Sequence, residues 1–208
     1  ISGSAFKSEC YKKGYFHAQD LASQTCIDSL DPQENEIVFD LCAAPGGKSF
    51  TIAEKMNNKG KIYSFDLYEH KIKLINDGAN RLGIDIIDAQ IWDASVFNPQ
   101  LPKADKVLCD VPCAGLGVIR RKPEIKYKDF TFVDKLCDLQ YNILNNASLY
   151  VKENGVLVYS TCSLSKKENE NICERFLSEH SDYKLDEMVT LIPHKDSDGF
   201  FFAKFIKE

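Results

Sequence analysis

Nothing constrains the fold of this chain more than Asp40-Leu41-Cys42-Ala43-Ala44-Pro45-Gly46-Gly47-Lys48. It follows the strand-like run Glu36-Ile37-Val38-Phe39 and precedes a helical pattern, Ser49 to Glu54. Strand, glycine turn and helix in that order put bare backbone N–H groups and a helix N-terminus at the end of a buried strand. Part of a nucleotide-like ligand can approach there without meeting a Cβ. Two better-known loops are excluded: a G-x-x-x-x-G-K-[ST] phosphate loop needs glycine where Cys42 stands, and G-x-G-x-x-G is absent. Taken alone, the turn also suits a purely structural strand-to-helix connection.

The next strands carry the argument further. Lys61 to Asp66 reads as a buried strand ending in a carboxylate about 20 residues past the glycines, the spacing of a ribose-binding acid. Asp66 is therefore the ribose candidate. A third strand, Ile84 to Ile91, runs into Trp92-Asp93, and a fourth, Lys106 to Cys109, runs into Asp110-Val111-Pro112-Cys113. Four strands ending in acids or thiols point to a crevice at the carboxyl edge of a parallel sheet.

Set beside Gln19-Asp20 with Ser23-Gln24, and Tyr159-Ser160-Thr161-Cys162-Ser163, these motifs resemble the RNA cytosine-C5 methyltransferases of the Sun/Fmu type. The resemblance spans nearly the whole chain. Gly117 to Lys126 and Asp198 to Lys204 resemble the members of that family that act on small-subunit (16S) ribosomal RNA; Ala114 stands where the family more often has serine. The resemblance implies a Rossmann-like S-adenosylmethionine-dependent methyltransferase fold of class α/β, with seven mostly parallel strands and an antiparallel edge strand. The fourth strand would lie between the first and fifth.

It also implies roles. Cys42, Ala43, Ala44, Pro45, Gly46, Gly47 and Lys48 would cradle the methionine part of the cofactor, Asp66 the ribose and Asp93 the adenine amino group. Asp110 would hydrogen-bond the cofactor, the cytosine N3/N4 edge, or both. Cytosine C5 is a poor nucleophile until something adds to C6, and a thiolate does this by splitting one hard step into easier ones. Chemistry leaves open which cysteine attacks. The resemblance makes Cys162 the nucleophile and Cys113 the assistant in release. A non-catalytic RNA-binding or ribosome-assembly module, and a C5 methyltransferase of tRNA, are the alternatives.

The chain has 208 residues, 44% apolar and 27% charged, which suits a single catalytic domain, residues 1–208, with residues 1–30 as an arm and helix. It begins at Ile1, read as a fragment or processed chain; members of that family carry upstream RNA-binding sequence, expected to be lacking here. No run nears the roughly 18 apolar residues of a membrane span, and no secretory pattern opens the chain. Eight cysteines without a C-x-x-C pair, and scattered histidines, argue against zinc and for reduced thiols in a cytoplasmic protein, expected as a monomer. The net charge of −5 is unexpected for a polyanion-binding protein. Basic residues bunch locally, however, and Arg120, Arg121 and Lys126, with Lys122, Lys128 and the interleaved Tyr127, are expected to hold RNA phosphates.

Elsewhere, residues 1–15 read as an arm or short strand pair. Phe16, Leu21, Ile27 and Leu30 mark an amphipathic helix ended by Asp31-Pro32. Glu69 to Leu82 reads as a helix stopped by Gly83, and Val133 to Tyr150 as a helix on the sheet. Asn154-Gly155 reads as a turn into the strand Val156 to Tyr159. Ser165 with Glu168 reads as a capping box for a helix from Glu168 to Leu177. Strands near 183–192 and 199–206 close the sheet.

Overall fold

The computed structural model describes residues 5–129 and 131–208. Thirteen labelled elements follow in order: α1 (Glu9–Lys12), α2 (Leu21–Leu30), β1 (Ile37–Asp40), α3 (Gly47–Lys55), β2 (Lys61–Asp66), α4 (Glu69–Leu82), β3 (Ile87–Ile91), β4 (Ala104–Asp110), α5 (Val133–Ser148), β5 (Val151–Thr161), α6 (Glu170–Glu179), β6 (Tyr183–Leu191) and β7 (Phe200–Lys207). The strands form one seven-stranded sheet in the order β3-β2-β1-β4-β5-β7-β6. Strands β1 to β5 pair in parallel, while β7 runs antiparallel to both β5 and β6. This is the Rossmann-like fold of S-adenosylmethionine-dependent methyltransferases. As expected, β4 lies between β1 and β5; the antiparallel strand is β7, one place in from the edge that β6 occupies.

Each central strand is buried on both faces, because successive side chains alternate between two cores. Phe39, Val107, Cys109, Leu157 and Tyr159 point towards α5 and α6, packing with Tyr141, Leu144 and Phe176. Their neighbours Val38, Leu108, Val156 and Val158 point the other way, against Ile27 and Leu30 of α2 and Ile52 of α3. A smaller cluster of Phe50, Ile72, Ile75 and Ala79 seats α3 against α4. Burying each of these large side chains contributes about 1.5–3 kcal/mol, enough to fix strand ends that carry chemistry.

Four elements differ from the sequence reading. Residues 5–15 form short helical turns rather than a strand pair, and the third strand begins at Ile87 rather than Ile84. β5 starts at Val151: Ala104 faces Val151 and Lys106 faces Val156, so residues 152–155 bulge out, with Asn154 at φ 61. Glu168 does not cap a helix. α6 begins at Glu170, and the Glu168 side chain turns inward, where it is fully buried.

Candidate active site

The site begins with strand register. Asp110 of β4 faces Ser160 of β5, and the Val111 N–H donates to the Ser160 carbonyl at 3.1 Å, so the two chains leave the sheet side by side. Three residues beyond Asp110 and two beyond Ser160, Cys113 and Cys162 meet with their sulfurs 3.0 Å apart. Both are partly buried.

The surroundings treat the two thiols differently. The hydrogen bond from Cys113, with help from the Lys48 ammonium, holds the Cys162 thiol below its ordinary value against burial and Asp110. Cys113 is pushed well above it by its bond to Cys162 and by partial burial. Two thiols in contact ionise as a pair, and Lys48 tips the charge onto Cys162. Burial pushes Cys26 up to about 12, and Cys42, Cys109 and Cys173 upward as well. Of these, Cys26, Cys109 and Cys173 are packing groups in the two cores.

Lys48, expected in the cofactor cradle, reaches across from the first turn of α3. Its Nζ lies 2.6 Å from Asp110 Oδ2 and 5.1 Å from the centre of the Phe200 ring. Burial disfavours the ammonium, but Asp110, joined by Cys26 and Asp40, offsets this and holds Lys48 above its ordinary value. Ser160 Oγ donates to the other Asp110 oxygen at 2.9 Å. The carboxylate is therefore fixed in orientation beside the thiols.

Next to this lies the crevice above β1, β2 and β3. Gly46, with φ 108, takes a backbone conformation that a side chain would strain, and it offers α3 no side-chain cap. The loop formed by Cys42, Ala43, Ala44, Pro45 and Gly46 therefore runs straight into Gly47 and the uncapped N-terminus of α3. Asp66, 7% exposed, closes β2; it accepts the Leu67 N–H at 2.8 Å and lies 3.1 Å from Lys71 Nζ. Asp93, exposed past β3, accepts from Ser95 N and Oγ. The glycine turn before α3, Asp66 and Asp93 thus follow β1, β2 and β3 at the same edge of the sheet, where the sequence leads one to expect the cofactor.

The loop after Cys113 contains two 3-10 turns, Leu116–Val118 and Pro123–Tyr127. Gly117 N donates to the Cys162 carbonyl at 2.8 Å, and Gly199 N donates to the Gly117 carbonyl at 2.9 Å. Arg120 and Arg121 both pair with Asp198, a carboxylate 3% exposed, and Arg120 also donates to the carbonyls of His194 and Lys195. These arginines, expected at RNA phosphates, thus already have a carboxylate partner that ties the loop to β7. Lys122, Lys126, Tyr127 and Lys128 are exposed.

Residues missed by sequence reasoning include Ser160 and the pair Glu168-Asn169. Ser160 lay inside a quoted motif and needed only the β4–β5 register to acquire a role. For Glu168 the sequence offered a competing signal, the capping box, which the fold does not use.

The sheet order and the strand-end crevice define a methyltransferase fold, and the adjoining thiols distinguish it within that class. A sequence profile of the 16S rRNA methyltransferase RsmB/F family matches residues 27–206, and the chain belongs to that family. The probable ribosomal RNA small subunit methyltransferase B of Bacillus subtilis is 38% identical over 229 aligned positions, covering 100% of this chain and 51% of that protein. Ribosomal RNA small subunit methyltransferase B of Yersinia pseudotuberculosis is 36% identical, covering 95% of this chain and 48% of its own length. Among solved structures, PH0851 superposes with a TM-score of 0.94 at 35% identity, covering 99% of this chain and 50% of that one. NSun6 from Pyrococcus horikoshii, solved with SFG, gives 0.90 at 32% identity, covering 99% and 56%. The chain spans about half the length of the curated relatives it matches.

Proposed function

We propose that this chain transfers a methyl group from S-adenosylmethionine to C5 of a cytosine in 16S ribosomal RNA, through a covalent bond between Cys162 and C6. The observation that carries this reading is the contact of Cys113 with Cys162, whose sulfurs lie 3.0 Å apart at the ends of adjacent strands. The names of the Bacillus and Yersinia relatives support small-subunit RNA as the target.

Cys162, as thiolate, adds to C6 of the flipped cytosine, and the electron pair of the C5–C6 bond moves to C5. Bound S-adenosylmethionine supplies the electrophilic methyl group. Loss of the C5 proton then restores the double bond and expels the Cys162 sulfur, with Cys113 assisting that release. Asp110, oriented by Lys48 and Ser160, accepts from the cytosine amino edge. The α3 N-terminus, Asp66 and Asp93 would hold the cofactor, and Lys122, Lys126 and Lys128 would meet phosphates. Among the described residues no helix is long and apolar enough to cross a membrane.

The test is transfer of a radiolabelled methyl group to a 16S transcript, followed by digestion to nucleosides. Label is expected in 5-methylcytidine and absent with Cys162→Ala. Label in another nucleoside, or undiminished transfer by Cys162→Ala, would refute the reading.

A further inference from the structure

Glu168 is fully buried, and no cation pairs with it among the described residues. A buried carboxylate is costly unless its lone pairs are occupied. Here they are occupied by donors from both thiol-bearing loops. Oε1 accepts the backbone N–H of Ala114, the residue after Cys113, at 2.7 Å, and Oε2 accepts the hydroxyl of Ser163, the residue after Cys162. Gln140 of α5 completes the frame: its Nε2 donates to Glu168 Oε1 at 3.0 Å and to the Pro112 carbonyl at 2.8 Å. The Glu168 backbone is pinned in turn, since the Tyr159 hydroxyl donates to its carbonyl at 2.6 Å.

We infer that Glu168 is a positioning residue, a single carboxylate that ties the residue following each thiol and so keeps Cys113 against Cys162. The inference rests on the reading of these two thiols as the reacting pair. The two sides depend on Glu168 unequally. On the Cys162 side, Asn169 supplies independent support: Thr161 Oγ1 donates to its Oδ1 at 2.7 Å, and its Nδ2 donates to the Ser163 carbonyl at 3.0 Å. On the Cys113 side, among the described residues, side-chain support comes from Glu168 and Gln140 alone, beside the backbone bonds of Val111 to Ser160 and of Gly117 to Cys162. Removing the carboxylate therefore frees Cys113 more than Cys162.

The proximity of the thiols is measurable on the chain alone, without RNA. With 4,4′-dithiodipyridine, one thiolate attacks the reagent and releases one pyridinethione. The second cysteine then attacks the mixed disulfide, releases another pyridinethione and closes the Cys113–Cys162 bond. Glu168→Ala should slow that second release by about tenfold or more, the loss expected when buried bonds to a charged group go. Glu168→Gln, which keeps an oxygen for Ala114 and an amide for Ser163, should stay within about threefold of wild type. Cys26, Cys109 and Cys173 should remain unreactive in both. Closure at the wild-type rate in Glu168→Ala overturns the inference, as does slowing accompanied by reaction of those buried thiols, which would mean general loosening. If Glu168→Ala does not fold, Gln140→Met cuts the frame on the Cys113 side, removing the donor shared by Glu168 Oε1 and the Pro112 carbonyl. It should slow closure in the same direction, and wild-type closure there is equally fatal.

A second arm uses labelled 16S transcript with S-adenosylmethionine. Glu168→Ala should accumulate the same protein–RNA conjugate as Cys113→Ala. If Cys113→Ala gives conjugate and a folded Glu168→Ala gives none, the inference fails while the thiol roles stand. If Cys113→Ala itself gives none but closure responds as expected, the thiol roles fail while the positioning role stands.

Discussion

Gly117→Ala changes one hydrogen for a methyl group, and its effect can be worked out from contacts. A Cβ at position 117 would lie 2.1 Å from the Gly199 carbonyl oxygen, 2.6 Å from its carbon and 2.8 Å from the Cys162 carbonyl oxygen. All three are backbone atoms, so none can swing aside. Restoring ordinary separation moves the segments apart by about 1 Å, which stretches the 2.8 Å bond from Gly117 to Cys162 and the 2.9 Å bond from Gly199 to Gly117 beyond useful length. Overpacking costs about 1–3 kcal/mol and each backbone bond contributes about 1 kcal/mol. The expected loss is about 3–5 kcal/mol, concentrated in the loop that carries Arg120 and Arg121. Urea unfolding with tryptophan fluorescence gives the stability, and hydrogen exchange of the Gly117 and Gly199 amides locates the change. Unchanged stability with both amides still protected would refute the reasoning.

Asp66→Ala should weaken S-adenosylmethionine binding about tenfold to a hundredfold, since a charge-assisted acceptor is worth about 1.5–3 kcal/mol; unchanged affinity by calorimetry would remove Asp66 from the site. Lys48 helps hold the Cys162 thiol low, so Lys48→Met should move the pH profile of Cys162 alkylation by iodoacetamide upward, and an unmoved profile would contradict the electrostatics. Burial pushes the Asp40 carboxyl up to about 7 although Ser49 donates to it. A folded-state value above the ordinary carboxylate value means stability present at low pH and lost as pH rises through about 7. Asp40→Asn should therefore gain on wild type between about pH 5 and about pH 8 in urea titrations, and parallel pH curves would refute the assignment.

Much of the fold was legible because the central strands obey a simple rule. Runs such as Lys61–Asp66 are buried on both faces and end in an acid, and parallel strands connected through helices bring such ends to one edge. Local patterns misled where tertiary partners decide. Asn154-Gly155 has turn chemistry, yet Val151 before it and Val156 after it both pair with β4, so it became part of a bulge. The spacing of Ser165 and Glu168 fits a cap, but Glu168 found donors at Ala114, Gln140 and Ser163, residues that only the folded chain brings near. Lys48 sits in the glycine motif, and only the β1–β4 adjacency revealed its partner as Asp110.

The central claim is that the two touching thiols act at successive steps, Cys162 attacking and Cys113 releasing. Incubating labelled 16S transcript and S-adenosylmethionine with each variant, then running a denaturing gel, separates those roles in one measurement. A retarded protein–RNA band should accumulate with Cys113→Ala, which can attack and methylate but not let go. The band should be absent with Cys162→Ala and with the double variant. The reverse pattern would exchange the roles, and a conjugate in the double variant would mean that neither cysteine is the nucleophile.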